Sequence, residues 1–219
     1  MAKLIWDEIS KRFYETGVSQ GVLYPTKTGG TYDKGVVWNG LISVTESPTG
    51  AEPTKLYASN INYLTMVSAE ELGVTIEAYT YPDEFMACDG SAEIALGVTI
   101  GQQNRKTFGL SYKTLLGNDT EGNEYGYKLH LLYGGLASPS EKGYSSINDS
   151  PEAITFSWEV ATTPVPVTGF KPTALLTIDS TKVEAVKLKA IEDVLYGSES
   201  EEPKLLLPDE IITMLGAAG

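Results

Sequence analysis

The stretch from Gly73 to Val167 constrains the fold more than any other part of the chain, because its apolar residues recur with the period of strands and are punctuated by turn residues. In VTIEAYT, Val74, Ile76 and Ala78 fall on one face and Thr75, Glu77 and Tyr79 on the other. EAITFSWEV repeats the pattern, with Ile154, Phe156, Trp158 and Val160 opposed to Thr155, Ser157 and Glu159. FGLSYKTLL and YGYKLHLLY flank GNDTEGNE, whose Asn, Asp and Gly residues suit a hairpin tip. SAEIALGVTIG reads as a strand with a glycine bulge. Pro82 followed by Asp83 and Glu84 predicts a short helix through PDEFMAC.

Outside this stretch the signals change character. Residues 1–20 mix Leu4, Ile5, Trp6, Ile9, Phe13 and Tyr14 with charges, which fits either an arm that packs on a neighbour or a segment that closes its own core. TKTGGTYDKG is a turn by composition, and VVWNGLISVTE reads as the first long strand. SPTGAEPT then predicts a break, making residues 47–60 a long loop. TALLTID is expected to be the last strand. Thr181 and Glu184 have the spacing of a capping box, and Val183, Val186, Ala190, Ile191, Val194 and Leu195 follow at helical intervals up to Gly197. After the acidic SESEE linker, PDEIITML repeats the proline-plus-carboxylate helix start. The expected organisation is an arm over 1–20, a mainly β domain over 21–180 and a C-terminal helical element over 181–219.

At 219 residues the chain is long enough to bury a real core in one domain or one domain with an appendage. A formal net charge of -13 disfavours gripping nucleic acid, which needs clustered Lys and Arg, but it suits repelling phosphates; an acidic surface also serves solubility alone. No run of about 20 apolar residues is present to span a bilayer, and the charged N-terminus lacks the apolar core of a signal peptide. Synthesis is therefore expected to finish in the cytoplasm, with no membrane partner.

Catalytic and metal-binding patterns are sparse. Cys88 is the single cysteine and is expected to be a small buried hydrophobe, while the single histidine, His130, reads as an ordinary strand residue. No metal and no cofactor is expected. Asp119, Glu121 and Asn123 alternate like the start of a calcium loop, but Gly122 comes two positions early and His130 stands where a bidentate Glu is required. No nucleophile elbow, HExxH, phosphate loop or dinucleotide glycine fingerprint occurs, so the chain is expected not to be an enzyme. Glu77, Asp83, Glu84, Asp89 and Glu93 would supply carboxylates for glycoside hydrolysis, and Trp38, Tyr79, Tyr81 and Trp158 aromatics for a sugar-binding face. Trp158, however, alternates in step with core residues.

The order of these pieces resembles the major tail proteins of long-tailed bacteriophages. The residues that carry the resemblance are LYASNINYLT, then EAYTYPDEF passing into a short helix, GVTIGQQNRKTFGLSYKTLLGND, and GYKLHLLYGGLASPSEKGYSSINDSPEAITFSWEVATTPV, roughly Leu56 to Val167. The resemblance implies an antiparallel β-sandwich or partly closed barrel with a short flanking helix, assembled into hexameric rings that stack into the tube through which DNA leaves. The C-terminal helical element departs from the shorter members of that family. The resemblance further implies a virion tail location after assembly in the host cytoplasm, tape-measure and tail-terminator proteins as partners, and DNA that passes without specific binding. It points to Leu4, Trp6, Phe13, Tyr14, Pro48, Glu52 and Tyr57 as inter-subunit contacts, and the polar strand face adds Thr75 and Glu77 as lumen candidates. The inner tube of a contractile tail or injection apparatus, and a carbohydrate-binding β-sandwich, are the alternatives.

Overall fold

The computed structural model describes residues 3–147, 149–150 and 152–216. It is mainly β, built on one antiparallel sheet of eight strands that does not close. In chain order the strands are β1 (Phe13–Pro25), β2 (Val36–Trp38), β3 (Leu41–Gly50), β4 (Pro53–Ala58), β5 (Ile61–Val67), β6 (Glu70–Ala78), β7 (Ala92–Ala95), β8 (Val98–Ile100), β9 (Phe108–Asn118), β10 (Gly122–Ala137), β11 (Phe156–Thr162) and β12 (Leu175–Asp179). The main sheet runs β2-β1-β9-β10-β11-β6-β3, with β12 also on β10, while β4-β5 and β7-β8 are separate hairpins.

β10 organises the sheet. One of its edges pairs with β9; the other pairs first with β12, from Lys128 to Leu132, and then with β11, from Gly135 to Ala137. The change of partner falls at Gly134, which has φ 58° and donates its N–H to the Tyr32 hydroxyl. A Cβ there would lie 2.3 Å from the Thr163 carbonyl oxygen, so a side chain is excluded on both counts.

Two cores result. The inner one gathers Trp38, Phe85, Phe108, Leu110, Leu132, Trp158 and Val160 inside the curl of the sheet. Its rings meet edge to face, with Phe85 5.0 Å from Trp158 and Trp38 5.7 Å from Trp158, the geometry that ring quadrupoles favour. The expected short helix supplies Phe85 and Cys88 to this core: a 3-10 turn, Asp83–Phe85, runs into α1 (Met86–Asp89), and Gly90 ends it in the left-handed region. Burial pushes the Cys88 thiol up to about 12, as suits a small apolar filler.

The second core lies on the opposite face of β1 and β10. There Val22, Tyr24, Leu129, Leu131 and Tyr133 meet Leu188, Ile191 and Leu195 of α2 (Ala185–Tyr196), the connector residues Leu205 and Leu206, and Ile211 of α3 (Pro208–Leu215). Tyr24 donates its hydroxyl to the Leu195 carbonyl at 2.7 Å and Tyr133 to the Leu206 carbonyl at 2.9 Å, tying sheet to helices. In α3 the Glu210 carboxylate accepts the Leu207 N–H at 2.8 Å, satisfying one otherwise orphaned donor.

Several expectations need correction. The N-terminal arm does not run to residue 20 as a unit, because Phe13 onward is already β1. VVWNGLISVTE is two strands, split by Gly40 at φ 76°. Residues 47–60 are not a loop: β3 continues to Gly50 and β4 follows. Both prolines are tolerated there, since β3 lies on the sheet edge and Pro53 begins its strand. SAEIALGVTIG folds as the β7-β8 hairpin. The expected capping box does not form, because Thr181 gives its N–H and hydroxyl to Asp179 at 2.9 and 2.6 Å; α2 starts later and leaves Val186 exposed.

Candidate assembly surface

The sheet's two halves differ in what covers their outer side. α2 and α3 cover β1 and β10, whereas the outer side of β3, β6 and β11 carries only small or acidic residues. Register fixes which residues share that side. Ser43, Glu77 and Ser157 form one row across the three strands; Thr45, Thr75 and Glu159 form the next; Ser47, Gly73 and Ala161 the third; and Thr49 with Glu71 the last. Their alternates, Val44, Val74, Ile76, Trp158 and Val160, point into the inner core.

β3, β6 and β11 contain no Lys, Arg or His. The face therefore presents hydroxyls and the carboxylates of Glu71, Glu77 and Glu159 without a cation in its own strands. Ser43 donates to Glu77 at 2.9 Å, which holds that carboxylate within the sheet surface. Thr75 and Glu77 occupy the middle strand of this face, both half-buried by their neighbours. Ser43, Thr45, Ser47 and Thr49 were not singled out from sequence, although their strict alternation in β3 is a signal that points to them.

Beyond this face, three segments each expose four or more large apolar side chains, apart from single exposed residues such as Phe170 and Val186. Every residue of β4 and β5 is exposed, including Leu56, Tyr57, Ile61, Tyr63, Leu64, Met66 and Val67. An isolated two-stranded ribbon is marginal in water, so a hairpin carrying this much apolar surface gains most from a partner. The β7-β8 hairpin exposes Ile94, Leu96, Val98 and Ile100, with Leu96 99% exposed at its tip; sequence reasoning missed it by reading one strand with a glycine bulge.

The third place is the N-terminus, where Leu4, Ile5, Trp6 and Ile9 are all exposed. This segment is moored at its base: Ser10 N–H donates to Asp119 at 3.0 Å, and Arg12 donates to the Asp7 carbonyl. Phe13 packs 5.0 Å from Tyr125, and Tyr14 donates to Asn123 at 2.8 Å, so these two residues bind the β9-β10 hairpin while staying partly exposed. Pro48 is exposed on the sheet edge, and Glu52 lies in the exposed turn between β3 and β4. The structure thus places Pro48, Glu52 and Tyr57 in succession on β3, the turn after it and β4, and Leu4, Trp6, Phe13 and Tyr14 in the N-terminal segment and the start of β1.

Apart from Glu77, the aromatic and carboxylate candidates fall elsewhere. Trp38 and Trp158 are core residues at 2% and 0% exposure, Tyr81 packs on Phe85 and Trp158, and only Tyr79 is open. Asp89 is buried, accepting from the Trp158 indole at 3.0 Å and from Lys142, with Arg105 3.8 Å away. Among the described residues, no group of three or more His, Cys, Asp or Glu is placed to hold a metal ion. No helix among them is long and apolar enough to cross a membrane. The chain matches no protein-family model, and no curated protein matches it.

Proposed function

We propose that this chain is a structural subunit of a bacteriophage tail tube, forming stacked hexameric rings whose lumen is walled by the outer side of β3, β6 and β11. The observation that carries the reading is that face: rows of Ser, Thr, Gly, Ala and Glu with no cation in the strands that build it. Phosphates meet only like charge and short hydroxyls there, and low-dielectric walls focus the field, so DNA passes without adhering. Ring closure multiplies the charge of -13 by the number of subunits. The exposed β4-β5 ribbon and the N-terminal segment supply apolar contacts to neighbouring copies or rings, and the edge strand β3 gains a partner on assembly.

Negative-stain electron microscopy of the purified chain tests this directly. Rings or tubes with a central channel are expected at high concentration or with a tail partner. A strict monomer under all these conditions would count against the proposal.

A further inference from the structure

At one end of the inner core lies a polar cluster that the assembly surface does not use. β3 is not paired with β1 in the sheet, yet the two strands come into contact along a seam. At one end of the seam Leu41 lies on Gly21, where a Cβ would come within 2.3 Å of Leu41 Cδ1. Towards the other end the seam is spanned by side chains. His130, 8% exposed, rises from β10 with Nε2 3.5 Å from Glu15 Oε1 on β1 and Nδ1 3.7 Å from Glu46 Oε1 on β3.

Each strand around the ring contributes a partner. From β9, Tyr112 stacks on the imidazole at 4.7 Å and 2° and donates its hydroxyl to Glu46 at 2.7 Å. Thr114, also on β9, donates to Glu15 at 2.6 Å and lies 2.9 Å from Nε2. With its own proton given to Glu15, the Thr114 hydroxyl accepts from Nε2–H, which assigns the neutral ring to that tautomer. β12 faces the ring with the uncharged Thr177 hydroxyl, 3.4 Å from Nδ1, while Asp179 is taken up by Thr181 and Lys182. Lys128 is the cation beside the cluster, and it pairs with Glu15.

We propose that His130 makes the β1-β3 seam acid-labile: a second proton, arriving at Nδ1 of the buried ring, meets only the Thr177 hydroxyl at 3.4 Å, long for a hydrogen bond, and Glu46 at 3.7 Å, beyond hydrogen-bond reach, and the seam opens to hydrate the imidazolium. Burial pushes the imidazole below its ordinary 6.5, outweighing the opposing pull of Glu46 and Glu15. An open seam returns the ring to water and to its ordinary value. The open form therefore binds more protons between the two midpoints, so acid favours it by up to roughly tenfold per pH unit of difference. Burial also pushes Glu15 up, but hydrogen bonds from Lys128 and Thr114 outweigh it and hold that carboxylate below its ordinary 4.5.

Because the chain has one histidine, its imidazole proton resonances report this site alone. The experiment combines that titration with hydrogen exchange of the full chain over residues 13–20 and 43–48, corrected for the intrinsic pH dependence of exchange. The expected results are a midpoint below 6.5, protection that falls from pH 7 to pH 5, and loss of that pH dependence in His130→Gln. Glu46→Gln removes one opposing charge and is expected to lower the midpoint further. A midpoint at or above 6.5, protection that rises on acidification, or the same pH dependence in His130→Gln overturns the proposal. If His130→Gln does not fold, the Glu46→Gln titration decides, and an unmoved midpoint overturns it.

Discussion

The β1-β10 half of the sheet and the β3-β6-β11 half share one inner core but solve their outer faces in opposite ways. β1 and β10 bury both sides, so GVLYP and KLHLLY read as nearly continuous apolar runs, and helices close the far side. β6 and β11 bury one side only and keep a strict alternation whose polar members are small or acidic. The first half is built for stability, with its outer face consumed internally. The second half leaves a whole face without a partner inside the chain's own strands, and that is the face the proposed function uses.

The sharpest way to break the comparison is to make equivalent changes in both halves. Leu131→Ala, on the helix-covered side of β10, is expected to lower unfolding stability by about 2–5 kcal/mol, because it empties a site between sheet and helices. Urea unfolding measures this, and a loss under about 1 kcal/mol would mean that α2 and α3 are not integral to that half. Next in size is Tyr133→Phe, which strands the buried Leu206 carbonyl and should cost about 1–3 kcal/mol by the same measurement. The smallest effect is expected on the bare half: Thr45→Lys with Thr75→Lys should shift stability by no more than about 0.5 kcal/mol per site. If the face walls a conduit, assembled tubes carrying these lysines retain DNA in a salt-dependent manner and wild-type tubes do not. A large destabilisation by this pair would show instead that the face is already covered.

How much of this was readable beforehand follows from the same asymmetry. β6, β11 and the β9-β10 hairpin were legible because one-sided burial writes itself as alternation and the Asn118–Gly122 turn is chemically explicit. β1 was not, since register shifts near Ser19 and Gly17 at φ 70° break its period. β4 hid behind prolines that an interior strand would forbid and an edge permits. The capping signal at Thr181 was locally sound, yet Asp179 took the Thr181 N–H that Glu184 would have accepted. For the bare face, Thr75 and Glu77 were visible, but their partners on β3 and β11 depend on long-range register. The His130 cluster draws on five strands and left no local trace.

The partner exchange along β10 also has a mechanical side. That strand has 16 residues, about 50 Å of continuous covalent backbone, and it is grasped along most of its length by β9. β11, the bare half's connection to it, pairs at Gly135↔Thr162, Leu136↔Ala161 and Ala137↔Val160, with one more backbone hydrogen bond at each end, Thr163 N–H to Gly134 and Ser138 N–H to Glu159. A force that separates the halves therefore acts on a ladder of three paired positions, as short as the one between β1 and β2, beside Gly134 at φ 58°. In the proposed tube, a subunit under load is therefore expected to yield first at this short ladder.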